Sequence, residues 1–588
     1  MRLIRRSVVV GATASLAALL AACGGSSSTP AASGSGSAAG SAASSGSASG
    51  SAGAGGEVLP FDPAHKGGTL TRFATAGAGT LDPQINYTAQ FWQLYQGVYD
   101  GLAMFKQVAG DGSFTVVPDL VTEIPKPTND GKTYTFTLRK GIKFSDGTEL
   151  STDDVVASFQ RIFKVSSPTA GSFYNGIVGA DACLKTPASC TLDGGISGDR
   201  TAGTVTINLK AADPEFLYKI AVPHASVLPK SAPAKDGGST PIPGTGAYKI
   251  TSYDPNKSLV LDRNPNFTEW SREAQPQGYP DKIVEQYGQT TTAAVTAVQN
   301  GQADTVFDDI PADRLPELGT TFASQVHVNP QSAYYYLPMN THLAPFDNPK
   351  ARQAVNWAVD RAAVVKLFGG SNVAQPACTI LPPGFPGFEP SCQYTSPAGD
   401  SWTGPDLAKA KQLVQESGTA GQAVQVIVGD DDVQKAIGEN VASTLTAIGW
   451  KATSKPISNN IQFTYIQNTK NKVQISLSSW FQDYPAASDF LNILFGCASF
   501  VPGSDSSINI SGYCDKTVQA KMDQAYAQGS TDQAAANKLW AQVDRDVMTA
   551  SAAAPLFTPK HVDFLSKRVG DYQWSKQFRM IVSQAWVQ

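Results

Sequence analysis

Between Gly24 and Gly56 the chain offers nothing from which a fold can be built: every residue is Gly, Ser or Ala except Thr29 and Pro30. The tract carries no charge and no large apolar group. It cannot bury a core and is expected to be a flexible coil. A Gly/Ser chain of this length spans roughly 30 Å root-mean-square and about 100 Å at full stretch. The folded part is therefore expected to begin near Lys66.

The segment before the tract has its own logic. Arg2, Arg5 and Arg6 form a positive start, and Val8 to Leu20 is an apolar run too short and too poor in bulky residues for a membrane span. Ala21 and Ala22 are the small residues that signal peptidases require. Leu20-Ala21-Ala22-Cys23 resembles a bacterial lipobox. That resemblance implies residues 1–22 as a lipoprotein signal peptide, lipidation at Cys23, and 23–65 as a lipid-anchored linker. The implied location is the outer face of the bacterial cytoplasmic membrane.

The chain beyond Lys66 is too long for one core, so two or three domains are expected. Removing the leader leaves 42 Lys and Arg against 49 Asp and Glu, a net charge of −7. That balance argues against a nucleic-acid partner. The six remaining cysteines fall in three local pairs: Cys183 and Cys190, Cys378 and Cys392, Cys497 and Cys514. In an exported chain they suggest disulfides, with local pairing expected, although the sequence alone permits other connectivities. Their spacing suits no zinc site.

Tyr134, Phe136 and Leu138 alternate with threonines, which reads as a half-buried strand after a turn at "NDGK", Asn129 to Lys132. Ser151, with Asp154 three residues on, reads as a helix start. Asn348-Pro349 starts a second helix, expected to bury Ala351, Val355, Ala358, Ala362 and Val365 and to end at Gly369-Gly370. Strands and helices alternate elsewhere, which indicates α/β domains.

Motifs for catalysis fail on inspection. Gly131-Lys132-Thr133 lacks the upstream glycine of a phosphate loop and precedes a strand. Gly244-Thr245-Gly246 also leads into a strand. His65, His224, His327, His342 and His561 form no metal-binding spacing. There is no GxSxG elbow, and Asp430 to Asp432 lack the pattern of a calcium loop. The reading is of a non-enzyme with no cofactor. An anchored secreted hydrolase remains the alternative from a different class.

Seven stretches occur in a telling order. They are "DGKTYTFTLRKGIKFSDGTELSTDDVVASFQRIF" (Asp130 to Phe163), "VLPKS" (Val227 to Ser231), "GTGAYKI" (Gly244 to Ile250) and "LDRNPNFTEW" (Leu261 to Trp270). Next come "YYYLPMNTHLAPFDNPKARQAVNWAVDR" (Tyr334 to Arg361), "SSWFQDYPAASDFLNILF" (Ser478 to Phe495) and "NISGYCD" (Asn509 to Asp515). Together they resemble the peptide/nickel-binding solute-binding proteins, the family-5 extracytoplasmic receptors of ABC importers. The chain departs from the usual pattern at Ser145, Ala247 and Ala486.

The resemblance implies an α/β fold of the two-lobed periplasmic-binding-protein type (type II, with an extra inserted domain) closing on a hinge. It implies lobe I from 66–98, 224–324 and 555–588, an inserted domain at 99–223, and lobe II at 325–554. It implies a short peptide as ligand, ABC permease and ATPase subunits as partners, and a monomer. Nickel chelates, haem, glutathione and oligosaccharides are the other ligand classes. Asp483 matches the family's amine-anchoring aspartate, and Trp480, Phe481 and Tyr484 are candidates either to line a side-chain pocket or to pack in the core. Arg139, Arg352 and Arg361 also lie in matching stretches, where structural ion pairs are expected of them.

Overall fold

The computed structural model describes residues 58–588 apart from Ala78, Asp505 and Ser506. The expected signal peptide, the lipidation of Cys23 and most of the linker lie outside the described residues.

A first lobe is built on a mixed five-stranded sheet. Its order is Thr305–Val306, Thr69–Phe73, Lys282–Gln286, Ser258–Arg263, Tyr248–Asp254. The first three strands run parallel, and the last two, a hairpin, extend the sheet in antiparallel pairing. A three-stranded antiparallel sheet containing Thr133–Thr137 packs into the same apolar core, so Leu70, Leu261, Phe136 and Val205 belong to one buried cluster.

The alternation at Thr133–Thr137 behaves as its period demands: Tyr134 and Phe136 are buried and the threonines are not. Asn129, Asp130 and Gly131 all have φ between 52° and 80°, the left-handed geometry of the tight turn that precedes the strand. Helix Thr152–Lys164 starts as a capping box, with the Ser151 N–H donating to Asp154 Oδ2 at 2.9 Å.

The second lobe combines an antiparallel sheet with a parallel one. The antiparallel sheet is ordered Val326–Pro330, Ala553–Phe564, Ala333–Pro338, Ser478–Phe481. The parallel sheet is ordered Lys451–Ile457, Ala423–Gly429, Ile475–Ser476. Strand Ala553–Phe564 is shared between regions. Its first residues pair with Ala333–Pro338, its last with Val326–Pro330, and the following Leu565 bridges to Thr305 on the edge of the first sheet. The backbone thus crosses between lobes through hydrogen-bonded strands rather than a free linker, the arrangement expected of a hinge.

Two expectations need correcting. The helix that begins at Asn348-Pro349 ends at Ala358, and a second helix, Arg361–Phe368, follows. Asp360 causes the break, because its side chain accepts from the Ala363 N–H and so caps a new helix. Ala362 is consequently exposed, while Val364 and Val365 are buried. Nor do Arg139, Arg352 and Arg361 make ion pairs among the described residues. Arg139 donates to Asp119 O, Arg352 to Ala550 O and Phe346 O, and Arg361 to Pro555 O and Asn356 O. They are structural, but they satisfy buried carbonyls.

The sulfurs of Cys183 and Cys190 lie 2.08 Å apart and those of Cys497 and Cys514 2.03 Å apart, and Cys378 is bonded to Cys392. The loop between Cys378 and Cys392 is held at its base by Asp544, whose carboxylate accepts from the Ile380 and Leu381 N–H groups at 3.0 Å each.

Candidate functional site

Strand Ser478–Phe481 is the outermost strand of its sheet. It pairs antiparallel with Ala333 to Tyr336 on one side. Its other edge pairs with no strand among the described residues. The pleat sends alternate side chains to opposite faces. Trp480 points into the core of the second lobe with Tyr334, Tyr336 and Phe490. Phe481 points the other way, is 40% exposed, and faces the Tyr335 ring.

After Phe481 the chain leaves its own lobe. Tyr484 is buried in the core of the first lobe, against Phe173 and Tyr218. The four residues singled out in "WFQDY" therefore do not share one wall. Phe481 and Asp483 border the space between lobes, whereas Trp480 and Tyr484 are packed into separate cores.

Asp483 sits where the chain crosses. Its N–H donates to Asp489 Oδ2 at 2.9 Å, and its carbonyl accepts from Gln577 Nε2 at 2.7 Å. Across the cleft the Tyr87 hydroxyl donates to Asp483 Oδ2 at 2.5 Å. Tyr87 precedes helix Ala89–Tyr95, and its ring rests on Trp92 and His224. His224 is fixed by Thr169 Oγ1 at 2.9 Å and Asn86 O at 3.0 Å, and burial lowers its pKa to about 3. The group behind Tyr87 is thus a neutral imidazole.

Asp483 and Asp489 are both buried, and no cation lies within ion-pair distance of either among the described residues. Burial pushes the Asp483 carboxyl up, opposed by hydrogen bonds from Tyr87 and Asp489. Burial and then repulsion from Asp483 push Asp489 well up. Two acids that cannot both ionise without a counter-charge retain a proton between them. An arriving cation would allow both to ionise.

A second buried acid joins the lobes nearby. Glu215 accepts from Ser488 Oγ and, at 3.3 Å, from the Tyr484 hydroxyl, with Lys219 Nζ 3.8 Å away. Lys219 also binds Asp213 at 2.8 Å and Tyr526 at 3.0 Å. This seam is closed and internally paired.

The sequence singles out Asp483 but not Tyr87, Asp489 or Gln577, which the structure places against it. Asp489 lay within the quoted stretch, six residues on. Tyr87 lies 396 residues from Asp483 and has no signal of its own.

Comparison with known proteins supplies a frame for this geometry. Among curated relatives, the periplasmic oligopeptide-binding protein OppA of Escherichia coli K12 is 26% identical over 468 residues, covering 75% of this chain and 79% of that protein. The glutathione-binding protein GsiB of Salmonella typhimurium is 26% identical over 509 residues, covering 83% and 89%. Among solved structures, clavulanic acid biosynthesis oligopeptide binding protein 2 superposes with a TM-score of 0.80 at 21% identity, covering 89% of this chain and 96% of that one. DppA from Helicobacter pylori, in complex with the peptide STSA, gives 0.71 at 20% identity, covering 89% and 98%. These structures share the two-lobed periplasmic-binding-protein fold. Residues 115–501 match the family described as "Bacterial extracellular solute-binding proteins, family 5 Middle", and the chain belongs to that family.

Proposed function

We propose that this chain is the substrate-binding subunit of an ABC importer and that its ligand is a short, extended peptide. The observation that carries the reading is Asp483, a buried carboxylate at the junction of the lobes, with a second acid behind it and no cation beside it among the described residues. A peptide ammonium supplies the missing charge, because an anion enclosed without a partner is costly. The outer edge of Ser478–Phe481 offers backbone groups along which an extended peptide can lie as an added strand. Phe481 would touch its side chains, while Trp480 and Tyr484 hold the strand and the crossing loop from behind. Relatives named for oligopeptide and glutathione binding support this reading.

Nothing in this reading requires catalysis. Reversible binding and lobe closure are the whole of the chain's task, with ATP hydrolysed by other subunits and the ligand passed to a permease. Cys23 would tether a monomeric receptor to the membrane, and the Gly/Ser/Ala tract would give it reach. Native mass spectrometry of the purified protein, followed by denaturation and identification of what is released, tests the ligand class. Short peptides are expected. An empty protein that ignores added di- to pentapeptides would overturn the peptide reading in favour of another ligand class.

A further inference from the structure

On the Phe481 side of the sheet lies a cavity of about 320 Å³. Leu315 of the first lobe and Tyr335, Phe368, Val433, Ile437 and Leu477 of the second form its apolar walls. Tyr335 belongs to both regions, since it lines the cavity and meets the Phe481 ring edge to face at 6.3 Å. The cavity therefore adjoins the exposed Phe481 face of the edge strand.

We propose that this cavity receives a basic side chain of the bound peptide, its aliphatic stem along the apolar walls and its cation at Asp309. The inference rests on the peptide reading above. Three charged residues line the cavity: Asp309, Asp431 and Lys560. Asp431 accepts at Oδ1 from the Gln434 N–H and at Oδ2 from Gln434 Nε2 and Asn459 Nδ2. The Lys560 ammonium donates to Ser371 O at 3.1 Å. Asp309 differs. Its Oδ1 lies 3.1 Å from His561 Nδ1, but its Oδ2 has no hydrogen-bond partner among the described residues, and its side chain is 73% exposed.

Asp309 lines the cavity with a side chain that remains largely open to solvent. Burial alone would raise its pKa, but the His561 hydrogen bond, the His561 charge and then Arg579 outweigh it and hold the carboxyl below the usual range. The group is therefore an anion. His561 and Arg579 do not line the cavity, so what a ligand meets there is the free carboxylate oxygen. A purely apolar side chain would strip water from that oxygen and replace it with nothing, which is unfavourable. A lysine or arginine satisfies the oxygen, covers the apolar walls with its methylenes and lays its cation near the Tyr335 and Phe368 rings.

The test is calorimetry on the intact protein with tripeptides of alanine carrying Lys, Arg, norleucine or Glu at each position in turn. At one position Lys and Arg should bind about tenfold or more tightly than norleucine. Asp309→Asn should remove that advantage, with the norleucine peptide binding as well or better because it no longer covers an unpaired anion. Val433→Trp, at an exposed position on the first turn of its helix, should fill the cavity and remove the advantage without touching His561. Equal affinity for Lys and norleucine at every position overturns the proposal while the peptide reading stands. So does an Asp309→Asn variant that weakens all peptides alike. Failure of every tripeptide to bind overturns the peptide reading itself, and this inference with it.

Discussion

Two buried acids meet the same crossing loop, residues 481–488, and they are equipped very differently. Glu215 has two hydroxyl donors from that loop and an ammonium 3.8 Å away. Asp483 has a phenol donor and another acid. The first arrangement is complete without any ligand. The second has surplus negative charge in a buried place, which a fold does not retain for stability. Side by side, they separate the part of the interface that holds the lobes together from the part that waits for a cation.

Experiments can break this contrast, and the largest effect should come from Asp483→Asn. It removes the charge that pairs with the peptide amine and should cost about 100-fold in affinity, read by calorimetry. The same change should raise the thermal midpoint of the empty protein at neutral pH, because it removes a buried acid with no cationic partner among the described residues.

Next is pH. The folded pKa values of Asp483 and Asp489 are raised. In the empty protein their contribution to stability is therefore present at low pH and is lost as pH rises through those raised values. Ammonium binding favours the ionised pair, so binding should release a proton. Affinity should then climb by up to about tenfold per pH unit through that range, until the peptide amine itself deprotonates near ~8. Calorimetry in buffers of different ionisation heat counts the protons, and Asp489→Asn should reduce the count.

Glu215→Ala comes third. It breaks the closed seam and should weaken every ligand about fivefold, free-amine or blocked, by disfavouring the arrangement in which the lobes touch. Small-angle scattering of the liganded variant should show a larger mean radius. Smallest is Tyr87→Phe, which deletes one hydrogen bond and should cost about threefold. If Glu215→Ala discriminated between free and blocked amines as sharply as Asp483→Asn, the contrast would fail.

Local signals in the chain were readable where the answer depended on neighbours. The Tyr134 alternation and the Ser151–Asp154 capping box needed only short-range rules. So did the placement of Trp480 and Phe481 on opposite faces, since the period of two that placed Tyr134 and Phe136 applies equally to "SSWF". Of the two roles open to each, Trp480 takes the core and Phe481 stays exposed on the other face. The single helix expected through Val365 overlooked that Asp360 can cap.

What was not readable depends on distant partners. Arg352 and Arg361 looked like half of an ion pair because sequence displays charges and hides carbonyls; their acceptors at Ala550 and Pro555 are supplied by the far end of the second lobe. Tyr87 is brought to Asp483 by the meeting of two lobes. The cavity at Asp309 is lined by loops, two strands and three helices from separate regions of the chain, and no local pattern encodes it.

The most direct test of the central claim is calorimetry of one tripeptide in two forms, with a free or an acetylated amine, on the wild-type protein and on Asp483→Asn. The account predicts that acetylation costs about 100-fold on the wild type and almost nothing on the variant, because both changes remove the same ion pair. Equal affinity of the wild type for both forms, or an acetylation penalty that survives in Asp483→Asn, would contradict it.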